Sequence, residues 1–137
     1  MTEKQFENKV KKFLESLGVY VAGTPCNKMK AEISGWYFKV WGGGLQQSGI
    51  PDLIININGV FIAVELKATN GRLSELQRIN TARINKGRGI GIVLYPDGFE
   101  NFKEIVKGVL NCNFHIAELN RLKCAYSSTK CVTLTEY

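Results

Sequence analysis

The dipeptide Asn58-Gly59 interrupts a long apolar stretch, GIPDLIININGVFIAVELK, at residues 49–67. Two apolar runs joined by Asn-Gly specify a β-hairpin. A type I′ turn needs φ > 0 at both central positions, and these residues reach it at least cost. So tight a turn also sets the register. Partners lie symmetrically about it, so Ile57 faces Val60, Ile55 faces Ile62 and Asp52 faces Glu65. Side chains alternate along a strand. Leu53, Ile55, Ile57, Val60, Ile62, Val64 and Leu66 therefore share one apolar face, while Glu65 and Lys67 share the other with Asp52.

Two carboxylates placed opposite each other, with Cβ atoms about 5 Å apart, destabilise a sheet on their own. Partial burial sharpens the repulsion. Two arrangements offset it. Lys67 can act as counter-ion, which makes a salt-bridged triad at a sheet edge. Alternatively, a divalent cation can sit between the carboxylates. Mg²⁺ takes one or two carboxylates together with waters and phosphate oxygens, and such a site activates water beside a phosphoryl centre. Spacing alone does not choose between the two.

The remaining sequence frames this hairpin. Phe6, Val10, Phe13, Leu14 and Leu17 recur at helical spacing over residues 3–17, with Gly18 as a stop. VYVA reads as a short strand, residues 23–35 as a loop or insertion, and WYFKVW (36–41) as a β-favouring strand. GGGLQQSG breaks structure before Pro51. A second helix is expected from Ser74 to Lys86, with Leu76, Ile79 and Ile84 apolar. A buried strand follows at 89–95, then a third helix at 99–110 with an apolar stripe. The order helix, strand, hairpin, helix, strand, helix describes an α/β (α+β) chain whose mixed sheet is flanked by helices. At 137 residues it is expected to be a single domain, with a core over about 3–110 and a C-terminal extension at 111–137. CVTLTEY within that extension reads as a last strand. Trp36 and Trp41 are expected in the core or an interface rather than as base-stacking platforms.

Charge narrows the class of partner. Eighteen Lys+Arg against 12 Asp+Glu give a formal net charge of +6, which suits a polyanion such as nucleic acid. Arg72, Arg78, Arg83, Lys86 and Arg88 cluster around the second helix, and Lys39 lies on the aromatic strand. These cations are expected to meet phosphates. The glycine-rich loop, with Gln46 and Gln47, is expected to bring backbone close to a phosphodiester. The four cysteines contain no CxxC pair and there is one histidine, His115, so no zinc framework is expected and reduced thiols are. No apolar run reaches membrane-span length and the N-terminal segment lacks the apolar region of a secretory signal. A cytoplasmic protein, bacterial or in a phage-infected cell, is expected.

Pro51-Asp52 followed by Glu65-Leu66-Lys67 resembles the PD-(D/E)xK signature of restriction-endonuclease-like nucleases. GIPDLI, VELK and the helix start Ser74-Glu75-Leu76-Gln77 resemble the VRR-NUC branch, in particular its small stand-alone phage and bacterial members. The similarity spans about residues 3–106 and leaves out the 23–35 insertion and the tail. The resemblance implies an αβββαβ core and a Mg²⁺- or Mn²⁺-dependent DNA endonuclease. It implies that Asp52, Glu65 and the Leu66 backbone carbonyl hold the metal, and that Lys67 orients or polarises the attacking water. An acid of the first helix often completes such a site; Glu7 fits the position, with Glu3 and Glu15 competing. Gln77 matches the family's helix-borne glutamine. Ser74-x-x-Gln77 is equally a capping box, in which Gln77 reaches back to the Ser74 amide. The resemblance also implies a homodimer acting on branched DNA such as a Holliday junction. A flap- or nick-directed repair nuclease, a non-catalytic nucleic-acid-binding module and a protein-binding phage factor are the alternatives.

Overall fold

A computed structural model describes residues 1–41 and 48–111, together with the backbone of 131–133. Helix α1 (Glu3–Ser16) starts at Thr2, whose side chain accepts from the Gln5 amide in a capping box. Gly18, at φ 84°, turns the chain into β1 (Val19–Val21). A short 3₁₀ turn at Cys26–Lys28 lies within the 23–35 segment, which leads to β2 (Gly35–Lys39). The hairpin is β3 (Leu53–Ile57) and β4 (Val60–Leu66). Then come α2 (Glu75–Lys86), β5 (Ile90–Leu94), α3 (Phe99–Asn111) and β6 (Cys131–Thr133). The strands form one mixed sheet in the order β1-β2-β3-β4-β5-β6. The β1/β2 and β4/β5 pairs are parallel and the others antiparallel.

The hairpin adopts the register set by its turn. Asn58 and Gly59 have φ 53° and 75°, and Ile57 pairs with Val60, Ile55 with Ile62 and Leu53 with Val64. Asn58 also donates from Nδ2 to the Val109 and Leu110 carbonyls, which satisfies acceptors left open at the end of α3. One sheet face carries the core. Leu53, Ile55, Ile57, Ile62, Val64 and Leu66 pack there with Phe6, Val10 and Leu14 of α1 and with Phe102, Ile105 and Val106 of α3. Each such fully buried side chain contributes roughly 1.5–3 kcal/mol.

The opposite face is covered unevenly. Helix α2 lies over β4 and β5, yet the apolar residues singled out along it do not seat it: Leu76 is 53% exposed, and Thr81, Ala82 and Asn85 are its buried residues. The cause is close approach. A Cβ on Gly91 would stand 2.6 Å from the Thr81 carbonyl oxygen, so only glycine fits beneath this turn of helix. Asn85 then docks on the Gly91 backbone, accepting from its N–H and donating to its carbonyl, both at 2.9 Å. Over β2 the same face is open. Tyr37 turns into the core, whereas Trp36 and Phe38 turn out, and Trp41 beyond the strand is 70% exposed. The tryptophans are thus not core residues. In WYFKVW nearly every position is apolar, so alternation alone leaves the phase of the strand open; pairing of Tyr37 with Ile55 decides it.

Candidate active site

The site forms where β3 and β4 end together. The last ladder pair is Leu53 with Val64, and the next step brings Asp52 alongside Glu65. Pro51 has no N–H with which to extend the ladder. The Asp52 carboxylate takes over, with Oδ2 accepting from the Leu66 N–H at 2.7 Å. On the far side of β4, the Lys67 N–H donates to the Leu94 carbonyl. In a ladder the N–H and C=O of one residue address the same neighbour, so the Leu66 carbonyl is directed to the Asp52 side.

Glu65 is 3% exposed and Lys67 9%. Lys67 Nζ stands 3.5 Å from Glu65 Oε1, and Gln77 Nε2 donates to the same oxygen at 2.7 Å. Gln77 uses both ends of its amide at once. Its Oε1 accepts from the Ser74 N–H at 2.9 Å, closing the capping box of α2. The cap and the contact with Glu65 therefore coexist in a single conformation. Glu65 Oε2 is buried and accepts from no N–H or O–H of the described residues; only a proton shared with the Asp52 carboxyl serves it. Burial, followed by the charge of Asp52, pushes the Glu65 carboxyl up to about 8. Burial also raises Asp52, against the lowering effect of the Leu66 N–H and of Lys39. Ionising both acids would place more negative charge here than the surroundings neutralise, so Glu65 holds a proton near neutral pH.

A hard divalent cation fits this donor set. It offers two carboxylates, one with a buried oxygen that no N–H reaches, and a strand-end carbonyl, all oxygen donors of the kind Mg²⁺ and Mn²⁺ accept. Among the described residues no group of three His, Cys, Asp or Glu side chains converges, so waters and phosphate oxygens would complete the shell, as Mg²⁺ commonly arranges.

Glu7 has different company. It is 4% exposed on α1, and its oxygens are occupied by Lys4 at 3.2 Å, Lys11 at 2.7 Å and Lys39. Although burial opposes it, hydrogen bonds from Lys11, Lys39 and Lys4 bring the carboxyl down to about 2. Lys39 links the two acids, because its charge also acts on Asp52. The structure thus places Glu7 in a lysine clamp beside the carboxylate pair rather than in a three-acid cluster with it. The clamp was legible in part, since Lys4 and Lys11 stand three and four residues from Glu7, one helical turn away.

The basic residues divide as well. Arg72, Arg83, Lys86 and Arg88 are exposed, whereas Arg78 pairs with Glu75 one turn back. Lys39 Nζ also lies 5.2 Å from the centre of the Trp41 ring. Gln46 and Gln47 lie outside the described residues. Among the described residues no helix is long and apolar enough to cross a membrane. Compared with protein-family models, curated proteins and solved structures, the chain matches none of them.

Proposed function

We propose that the chain is a divalent-metal-dependent DNA endonuclease with a restriction-endonuclease-like core of the VRR-NUC type. The observation that carries this reading is the buried Asp52–Glu65 pair, in which no N–H reaches Glu65 Oε2. Two buried ionised carboxylates with only Lys67 and the charge of Lys39 to offset them are unfavourable unless a proton or a cation joins them. Asp52, Glu65 and the Leu66 carbonyl would hold Mg²⁺ or Mn²⁺. When bound, the ion would neutralise the pair, lower the pKa of a coordinated water and offset charge at the phosphate. Lys67 projects from the same strand face as Glu65 and orients the attacking water. Gln77 fixes Glu65 Oε1 and so sets the carboxylate plane. Arg72, Arg83 and Arg88 supply sequence-independent phosphate contacts.

The resemblance to stand-alone VRR-NUC members favours structure-selective cutting over sequence-specific restriction. Symmetric cutting of a four-way junction needs two such sites, hence a homodimer. The Lys67–Glu65 contact favours the rival reading, a salt-bridged triad in a non-catalytic nucleic-acid-binding module. One lysine at 3.5 Å from Oε1 nevertheless leaves Oε2 without an N–H donor.

The test is cleavage of four-way junction, flap and linear duplex substrates with Mg²⁺, Mn²⁺ or EDTA, alongside calorimetric metal titration. Metal-dependent cleavage lost in Asp52→Ala is expected. No cleavage and no metal binding by the unaltered chain would leave the binding-module reading. Equal cutting of linear duplex would remove the junction preference and spare the nuclease.

A further inference from the structure

Beside the carboxylate pair, the open part of the outer sheet face meets α2 in a groove of about 350 Å³. Ile54 and Phe61 form its floor as diagonal neighbours across β3 and β4, since Ile54 pairs with Ala63 and Phe61 with Asn56. Ile84, Asn80 and Arg83 form its wall, and Pro51 closes one end. Pro51 directly precedes Asp52, so this end of the groove adjoins the proposed reaction centre along the chain.

Its chemistry is that of a slot for a flat, polar-edged ring. Phe61 is 46% exposed and offers an aromatic surface between two aliphatic side chains. Asn80 donates from Nδ2 to the Gly49 carbonyl at 2.9 Å. That bond fixes the orientation of the amide on this wall. Arg83 adds a planar, positively charged donor on the same wall. An aromatic or aliphatic surface for the face of a base, with amide and guanidinium groups for its edge, is how proteins hold an unstacked nucleobase. Charge selects the same occupant. A polyanion complements Arg83 and the formal net charge of +6, whereas a second copy seated here would bring like charge against it.

We infer that this groove takes one unpaired nucleobase next to the scissile phosphate, so that the preferred substrate carries an unstacked nucleotide at or near the cut. The inference rests on the nuclease reading for the position of the cut but not for the binding itself. A base inside an intact duplex cannot reach the groove without being extruded, which costs a few kcal/mol. A branch or bulge supplies that base already unstacked, which gives structure selectivity a physical source.

The test is titration of the full chain, in EDTA, into a duplex carrying 2-aminopurine either as a single-nucleotide bulge or fully paired. Bulged probe is expected to bind about tenfold tighter, with a change in its emission, because one stacked base contributes on this scale. Phe61→Ala is expected to remove most of that difference while leaving affinity for the paired probe unchanged. Phe61→Tyr, which keeps the ring, is expected to retain it. Equal affinity of the unaltered chain for both probes, or discrimination that survives Phe61→Ala, overturns the inference. So does a change of sedimentation mass in Phe61→Ala, which would make the groove the seat of a second copy. Adding Mg²⁺ separates the two proposals. Discrimination without cleavage of any substrate sinks the nuclease reading alone, and cleavage without discrimination sinks the groove alone.

Discussion

Glu7 and Glu65 are both buried glutamates on neighbouring elements, and their surroundings drive them in opposite directions. Glu7 sits among three lysines and is held down near 2. Glu65 shares one lysine with Asp52 and is pushed up to about 8. Burial acts on both but more strongly on Glu65; the charge of Asp52 raises Glu65 further, whereas three lysines lower Glu7. The difference teaches where charge is already balanced and where it is not. Lysines of the chain itself surround Glu7, whereas the Asp52–Glu65 pair is the one that the proposed cation would neutralise. Glu7 is balanced by its lysines, and the Asp52–Glu65 pair is where the proposed metal would act.

The comparison breaks most visibly at Glu65. Glu65→Gln keeps the shape and removes one of the two charges. Metal-dependent cleavage is expected to fall by about 10²–10³-fold, the scale set by losing one electrostatic group from a reaction centre. The melting temperature in EDTA at pH 8 is expected to stay level or rise, because the like-charge repulsion is gone. A loss of stability in EDTA would refute the assignment of strain to this pair.

The second effect is on pH dependence. Glu7 is lowered from 4.5 to about 2, so its contribution is present above pH 4.5 and lost as pH falls towards 2. Glu65 is raised from 4.5 to about 8, so the native state holds a proton that the unfolded state has released. Stability in EDTA is therefore expected to decline as pH rises from 4.5 to 8, and Mg²⁺ is expected to restore it most at the upper end. Denaturant unfolding across this range checks both slopes. Glu7→Gln should flatten the acid limb and cost about 1–3 kcal/mol, whereas Glu65→Gln should flatten the other.

Smaller effects separate the two roles of Gln77. Gln77→Leu removes the acceptor for the Ser74 N–H and the hydrogen bond to Glu65, and a 10–100-fold loss of metal affinity or activity is expected, as for other partners that orient metal ligands. Ser74→Ala removes the other half of the capping box, the hydroxyl that accepts from the Gln77 N–H, and keeps the contact with Glu65. It is expected to cost about 1 kcal/mol of stability and leave activity nearly unchanged. Equal activity losses in the two variants would show that Gln77 acts on Glu65 only by holding the helix start.

Much of this was legible in the residues. Asn58-Gly59 and the alternating apolar positions on either side of it determined the hairpin, its register, its core face and the juxtaposition of Asp52 with Glu65. These are local consequences of turn geometry and a period of two. The spacing of Lys4, Glu7 and Lys11 likewise follows from one helical turn. Tertiary structure decided what local rules leave open. Which face of WYFKVW turns inward depends on pairing with β3, because nearly all its side chains are apolar enough for either face. Helix α2 is seated by Thr81, Ala82 and Asn85 because Gly91, on a different strand, lets the backbones approach. The charge state of each buried acid was decided in the same way. A carboxylate's pKa depends on burial and on how many cations reach it through space, and Lys39 reaches Glu7 from across the fold, 32 positions along the chain.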